Sequence, residues 1–137
     1  MGFKRAYNLY GAPQRRISNI LATNAEAFTD GEALKIAAGR WTKAGNGDAV
    51  AGFAAGTYAA ATDQYIDVYP AVEGDVYDAP YTGTPVAGFV VGVPTADVSA
   101  DGLSVNAADV TGGAFAIWEI NTTNETCRLT VKNRQMS

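Results

Sequence analysis

The sequence predicts a small all-β domain, a barrel or a sandwich. Three observations predict this class: short alternating segments, turns rich in Gly and Asn between them, and few helix signals. The chain has 137 residues, which is enough for one domain with its own hydrophobic core. We place an extended N-terminal arm at residues 1–30 and the β domain at residues 31–137.

The strand predictions follow from residue type and punctuation. Pro70 ends one segment because proline has no backbone donor. The last segment alternates most clearly, with Cys127, Leu129 and Val131 on one face, and it forms a hairpin with its predecessor around residues 121–124. The predicted strands cover residues 34–38, 41–43, 49–54, 65–69, 75–78, 86–91, 103–105, 114–120 and 126–132.

One motif occurs twice. The pattern V-A-G-F-x-x-G spans residues 50–56 and returns at residues 86–92. A glycine beside a phenylalanine within a strand is typical of a bulge or a barrel corner. The repeat therefore predicts two equivalent strands of a closed barrel.

Charge is segregated along the chain. Residues 44–127 contain eleven acids and no base, whereas the two flanks hold ten bases and three acids. The flanks thus carry a charge of +7 and the body one of −11. The flanks of one copy can therefore attract the body of a neighbouring copy, whereas two uniformly acidic copies would repel each other. This acidic body predicts no nucleic-acid partner. The proline- and glycine-rich uncharged stretch at residues 79–96 predicts no membrane span, and the N-terminus does not resemble a signal peptide.

The arm combines basic and apolar side chains, which favours a segment that binds a partner over a frayed terminus. Residues 17–28 fit a short helix or an extended course equally well. We expect removal of the arm to leave the barrel folded. The predicted contacts to an acidic protein surface or to a neighbouring copy are Lys4, Arg5, Tyr7, Tyr10, Arg15 and Arg16.

Catalytic chemistry finds no support in the sequence. The chain has no histidine, which excludes Ser-His-Asp and Cys-His sites within it and zinc sites of the usual Cys/His kind. We therefore predict no catalytic residue, no metal ligand and no cofactor, and expect that the protein is not an enzyme. Cys127 is predicted to be a small core residue. The carboxylates Asp63, Asp67, Glu73, Asp75 and Asp78 are interpreted as solvated turn residues and strand ends.

One function that the residues themselves would allow is that of a carbohydrate-binding module or a small glycosidase. Carboxylates can serve as acid and base, and aromatic rings can stack on sugars. The aromatic residues concerned are Tyr58, Tyr65, Tyr69, Tyr77, Tyr81 and Trp118.

Residues 31–54, GEALKIAAGRWTKAGNGDAVAGFA, resemble the G-x-x-V…G-x…A-G-x-G-D-x-V-x-G pattern of tailed-phage capsid decoration (cement) proteins. The segment EGDVYDAP at residues 73–80 is similar to one that those proteins carry after their first strands, and the resemblance extends over residues 31–92. It implies a small β-barrel or β-tulip domain, often trimeric, on the outer surface of a virion. The implied partners are the major capsid protein and other copies of the chain. The sequence does not distinguish a head protein from another structural part of a virion, such as a tail or fibre component.

Overall fold

The computed structural model describes residues 2–136, and these form ten β-strands and no helix, which confirms the all-β prediction. Residues 17–28, for which the sequence left a helix or an extended course open, contain no helix: they form isolated β-bridges on either side of a turn at residues 24–25. The strands are β1 (Lys4–Asn8), β2 (Ala33–Ala37), β3 (Arg40–Lys43), β4 (Gly52–Ala54), β5 (Val68–Pro70), β6 (Asp75–Thr82), β7 (Asp97–Val98), β8 (Val105–Asn106), β9 (Phe115–Asn121) and β10 (Thr126–Val131).

The first sheet is built around β6. Its strand order is β7-β8-β6-β10-β9, and β1 adds to β6 as a further antiparallel strand. The predicted hairpin of β9 and β10 is confirmed, with the Asn121 side chain accepting the backbone N–H groups of Thr123 and Asn124 in the turn. The alternation along β10 is confirmed as well, because Cys127, Leu129 and Val131 are all buried.

The second sheet has the order β3-β2-β4-β5. Residues 17–23 connect its two edge strands through isolated β-bridges and backbone hydrogen bonds. Ile17 exchanges two backbone hydrogen bonds with Val68, and further along the segment Leu21 accepts the backbone N–H of Trp41. Backbone pairing therefore runs from β5 through this segment to β3. The N-terminal residues thus complete a small barrel-like sheet.

Two hydrophobic cores result. The first lies between the sheets and contains a run of aromatic rings: the Phe3 centroid is 4.9 Å from that of Phe53 and 5.0 Å from that of Phe115, and Phe53 is 4.5 Å from Tyr77. The chain packs closely at Gly52, where a Cβ atom would lie 2.7 Å from the Tyr69 carbonyl oxygen. The second core consists of Ala22, Phe28, Leu34, Trp41, Ala51, Ala54, Ile66 and Val68.

The N-terminal segment is part of the body in this structure. Phe3 is 3% exposed and Phe28 is 1% exposed, each in a different core, and β1 pairs with β6. The expectation that the barrel stays folded without the N-terminal arm is therefore at odds with the packing. Local composition could not show this, because most partners of the segment are distant in sequence.

The two copies of the repeated motif adopt different structures. Its first copy contains β4, as predicted, but residues 86–91 form turns, so the predicted strand there is wrong. Pro85 lacks a backbone donor and the glycines of this stretch favour turns, which outweighs the strand propensity of its valines. Phe89 nevertheless reaches the first core, 5.0 Å from the Tyr81 ring centroid.

Candidate interaction surface

The outer face of the first sheet carries charges of alternating sign. The cross-strand register pairs Lys4 with Asp78, Asp78 with Arg128, and Arg128 with Glu119. These residues belong to β1, β6, β10 and β9, which are neighbours in that order. Residues directly opposite each other on adjacent strands project from one face. The face therefore presents +, −, + and − in sequence, and we call these four residues the charge row.

The central pair of the charge row has two-point geometry. Arg128 Nε lies 2.8 Å from Asp78 Oδ1, and Nη2 lies 3.4 Å from Oδ2. A guanidinium is charged at any physiological pH, and the Asp78 hydrogen bond raises the pKa of Arg128 further. The guanidinium carbon also stands 5.6 Å from the centroid of the Tyr7 ring, within cation–π range.

Two aromatic side chains accompany the charge row. Tyr7 is 47% exposed and Trp118 is 55% exposed. Trp118 Nε1 donates a hydrogen bond of 3.0 Å to Thr130 Oγ1, which fixes the direction of the indole. The face thus combines fixed charge with aromatic area, and aromatic residues and arginine are enriched at protein interfaces.

An open groove of about 570 Å³ follows the charge row, and all four members line it. Cys127 also lines the groove but is buried, and burial raises the pKa of its thiol to about 12. The thiol is therefore protonated near neutral pH and inert as a nucleophile, and the prediction of a core cysteine is confirmed.

The predicted partner-binding residues fall into two groups. Five are exposed: Lys4 and Tyr7 on the outer face, and Tyr10, Arg15 and Arg16 on the loop that follows β1. Arg16 reaches Asp67 at 3.6 Å.

Arg5 belongs to the fold instead. Its side chain is 11% exposed and its Nε lies 3.0 Å from Asp75 Oδ1, so the prediction that it meets a partner does not fit its position. Register explains the difference, because Arg5 stands opposite the core residue Tyr77 whereas Lys4 stands opposite the exposed Asp78.

Asp75 is the centre of a buried polar network. Besides the Arg5 contact, its Oδ1 accepts a hydrogen bond from Asn8 Nδ2 at 2.9 Å and its Oδ2 accepts one from the Tyr77 hydroxyl at 3.1 Å. The Arg5 guanidinium also donates to the Ala12 carbonyl oxygen. Burial, reinforced by the Asp75 charge, raises the pKa of Tyr77 well above its usual range. The interpretation of Asp75 as a solvated strand end is thus wrong.

The other carboxylates and tyrosines of the sequence analysis are dispersed. Asp63, Asp67 and Asp78 are each ion-paired to a different arginine near the surface. Tyr77 and Tyr81 lie in the first core, whereas Tyr65 is 60% exposed. The core positions of Tyr77 and Tyr81 remove them from any common sugar-stacking platform.

Sequence reasoning missed most of the surface. Arg128 and Glu119 were not among the predicted binding residues, although the alternation of β10 already placed Arg128 outward. Trp118 was named only for the carbohydrate-binding alternative, and Asp78 was interpreted as a solvated residue. Their neighbours depend on strand order, which a single sequence does not reveal.

Comparison with known proteins returned no matching family model, no matching curated protein and no matching solved structure. Within residues 2–136, no group of three or more His, Cys, Asp or Glu residues is arranged to hold a metal ion. A helix of sufficient length and hydropathy to span a membrane is likewise absent from these residues.

Proposed function

We propose that the chain is a structural virion protein without enzymatic activity, which binds the outer surface of a phage capsid and stabilises it by bridging major capsid protein subunits. One observation carries the proposal: the loop after β1 exposes Tyr10, Arg15 and Arg16, a combination of cations and an aromatic ring that suits binding to another protein. The resemblance of residues 31–92 to decoration proteins supports a phage capsid as the partner.

The loop after β1 is the proposed contact with the shell. Arg15 and Arg16 are exposed, and Tyr10 is 72% exposed near them in sequence. Cationic side chains near an exposed aromatic ring suit an acidic protein surface, because the charges guide association and the ring supplies buried area. The loop starts at β1, and its far end pairs with β5, so both of its ends are fixed on the body.

On the particle we propose three copies around a local threefold axis, as the resemblance implies. The flanks at +7 and the body at −11 give neighbouring copies opposite charges to bring together. Burial between copies would add stability to a chain whose small residues bury little area each.

The test is re-addition of purified protein to particles stripped of it, followed by co-sedimentation and cryo-EM. Arg15→Glu should lower occupancy several-fold, because it places a negative charge against an acidic shell. Lys132→Glu, an equal charge change at the exposed residue that follows β10, is the matched control and should bind as the wild type does. Full occupancy by the Arg15 variant would contradict the proposed contact. Binding to a glycan array without binding to particles would favour the carbohydrate-binding alternative.

A further inference from the structure

We propose that the outer face of the first sheet pairs with the same face of a second copy about a twofold axis that runs parallel to β6 and β10. The inference rests on the order of signs in the charge row, Lys4, Asp78, Arg128 and Glu119, and does not depend on attachment to a capsid. It names both the surface and the symmetry of self-association.

The order of signs selects this axis. A rotation of 180° about a line between β6 and β10 places β1 of one copy over β9 of the other and β6 over β10. Lys4 then faces Glu119, and Asp78 faces Arg128, each twice, so all four opposed positions join unlike charges. A twofold axis along the row would oppose each residue to itself, which joins like charges four times. The alternating row is thus self-complementary in one orientation only, as a twofold interface requires.

The aromatic residues agree with the same axis. Tyr7 lies on β1 and Trp118 on β9, so the rotation that brings β1 over β9 brings each ring to the other side of the interface. Both are about half exposed in the single copy. Pairing would cover two aromatic side chains per copy, the type of residue that contributes most to interfaces.

The size of the face predicts a weak pair. Four strands about 4.8 Å apart and about seven residues long cover roughly 20 by 23 Å, or about 450 Å². Stable complexes bury about 800 Å² on each partner, so this dimer belongs to the transient class. It should therefore dissociate on dilution. A twofold patch is filled by a single partner, so the proposed threefold grouping on a particle must use a different surface.

The experiment is a charge exchange measured by sedimentation velocity on the full chain, at concentrations up to about 1 mM, which covers interfaces of this size. The wild type should show a monomer–dimer equilibrium. K4E and E119K should each weaken the dimer about tenfold or more, because each opposes two like charges across the axis. An equimolar mixture of K4E and E119K should restore pairing to within about threefold of the wild type, because the carboxylate introduced at position 4 of one copy then faces the ammonium introduced at position 119 of the other.

Restoration in the mixture separates contact between copies from damage within one copy. Within a single chain, K4E places a carboxylate beside Asp78 and E119K places an ammonium beside Arg128, and mixing cannot relieve either repulsion. R15E and D30K make the same charge changes away from the outer face and should dimerise as the wild type does. The double variant K4E/E119K should form its own homodimer, which keeps the test decisive if one single variant folds poorly. A monomeric or trimeric wild type, or a mixture that stays monomeric, overturns the proposal.

Discussion

β6 supplies the aspartates of two Asp–Arg ion pairs, Asp75 with Arg5 and Asp78 with Arg128. The two pairs have the same chemistry but differ in burial and in their further partners. The side chains of Asp75 and Arg5 are 4% and 11% exposed, whereas those of Asp78 and Arg128 are 52% and 35% exposed. The inner pair joins a network with Asn8 and Tyr77, and the outer pair belongs to the charge row. The same type of ion pair thus stabilises the fold on the inner side of β6 and remains accessible to partners on the outer side.

Burial explains the division of labour. A buried charge that loses its partner stays desolvated and uncompensated, which costs several kcal/mol. An exposed pair exchanges its partner for water at little cost and is screened by salt. The inner pair should therefore dominate stability, whereas the outer pair should matter for association.

Deletion of residues 1–8 should have the largest effect. It removes β1, takes Phe3 out of the first core and leaves Asp75 buried without Arg5. The expected loss is at least about 5 kcal/mol of unfolding free energy, comparable with the whole stability of a small domain. Circular dichroism with urea titration measures it. The double variant K4A/Y7A keeps β1 and removes only outward side chains, so it should stay folded. A truncated chain that unfolds at the same urea concentration as the wild type would show that the segment is a detachable arm.

Asp75→Ala should cost about 3 kcal/mol, because it leaves the Arg5 guanidinium buried and without its carboxylate. The loss should appear as a lower urea midpoint at an unchanged m-value. Asp75→Asn keeps a side-chain carbonyl that can accept from Tyr77 or Asn8, so it should fall between the wild type and the alanine variant. A loss below about 1 kcal/mol for the alanine variant would mean that the network contributes no more than a surface pair.

The inner and outer pairs also show what a single sequence can and cannot predict. The β9–β10 hairpin was predicted because its signals are local: alternation along β10 and a polar turn at residues 121–124. The pairing of β1 with β6 joins residues about 70 positions apart, and no local pattern specifies that distance. Asp75 and Asp78 look alike in sequence, and only strand order and register separate them. The charge row was missed for the same reason.

Glu32 is as buried as Asp75 but has fewer partners for its carboxylate. Its Oε1 accepts the Thr29 N–H at 3.0 Å, whereas its Oε2 has no hydrogen bond and lies 3.7 Å from Lys43 Nζ. Burial raises the pKa of this carboxyl above its usual value of 4.5. The folded state therefore holds the Glu32 proton more tightly than the unfolded state, so stability falls as pH rises above about 4.5.

Glu32→Gln should remove that loss. Gln keeps the acceptor for Thr29 and carries no charge, so the variant should match the wild type near pH 3.5 and exceed it by about 1 kcal/mol at pH 8. Unfolding free energies measured across this pH range give the difference curve. Asp97 is also buried with a raised pKa but keeps two backbone donors, from Gly47 and Val98, so Asp97→Asn serves as the comparison variant. A wild-type advantage that grows with pH would reverse the sign argued for Glu32.

Asp78→Ala should have the smallest effect on stability and completes the contrast with Asp75→Ala. The Arg128 side chain is 35% exposed, retains its position over the Tyr7 ring at 5.6 Å, and can be solvated where the carboxylate was. The urea midpoint should therefore shift by no more than the error of the titration, and added salt should shift the variant and the wild type alike. Association should respond where stability does not, because Asp78→Ala removes two of the four unlike contacts that the twofold pairing would make. A clear loss of stability would show that the outer pair, too, holds the sheet together, and the assignment of this face to binding would lose its basis.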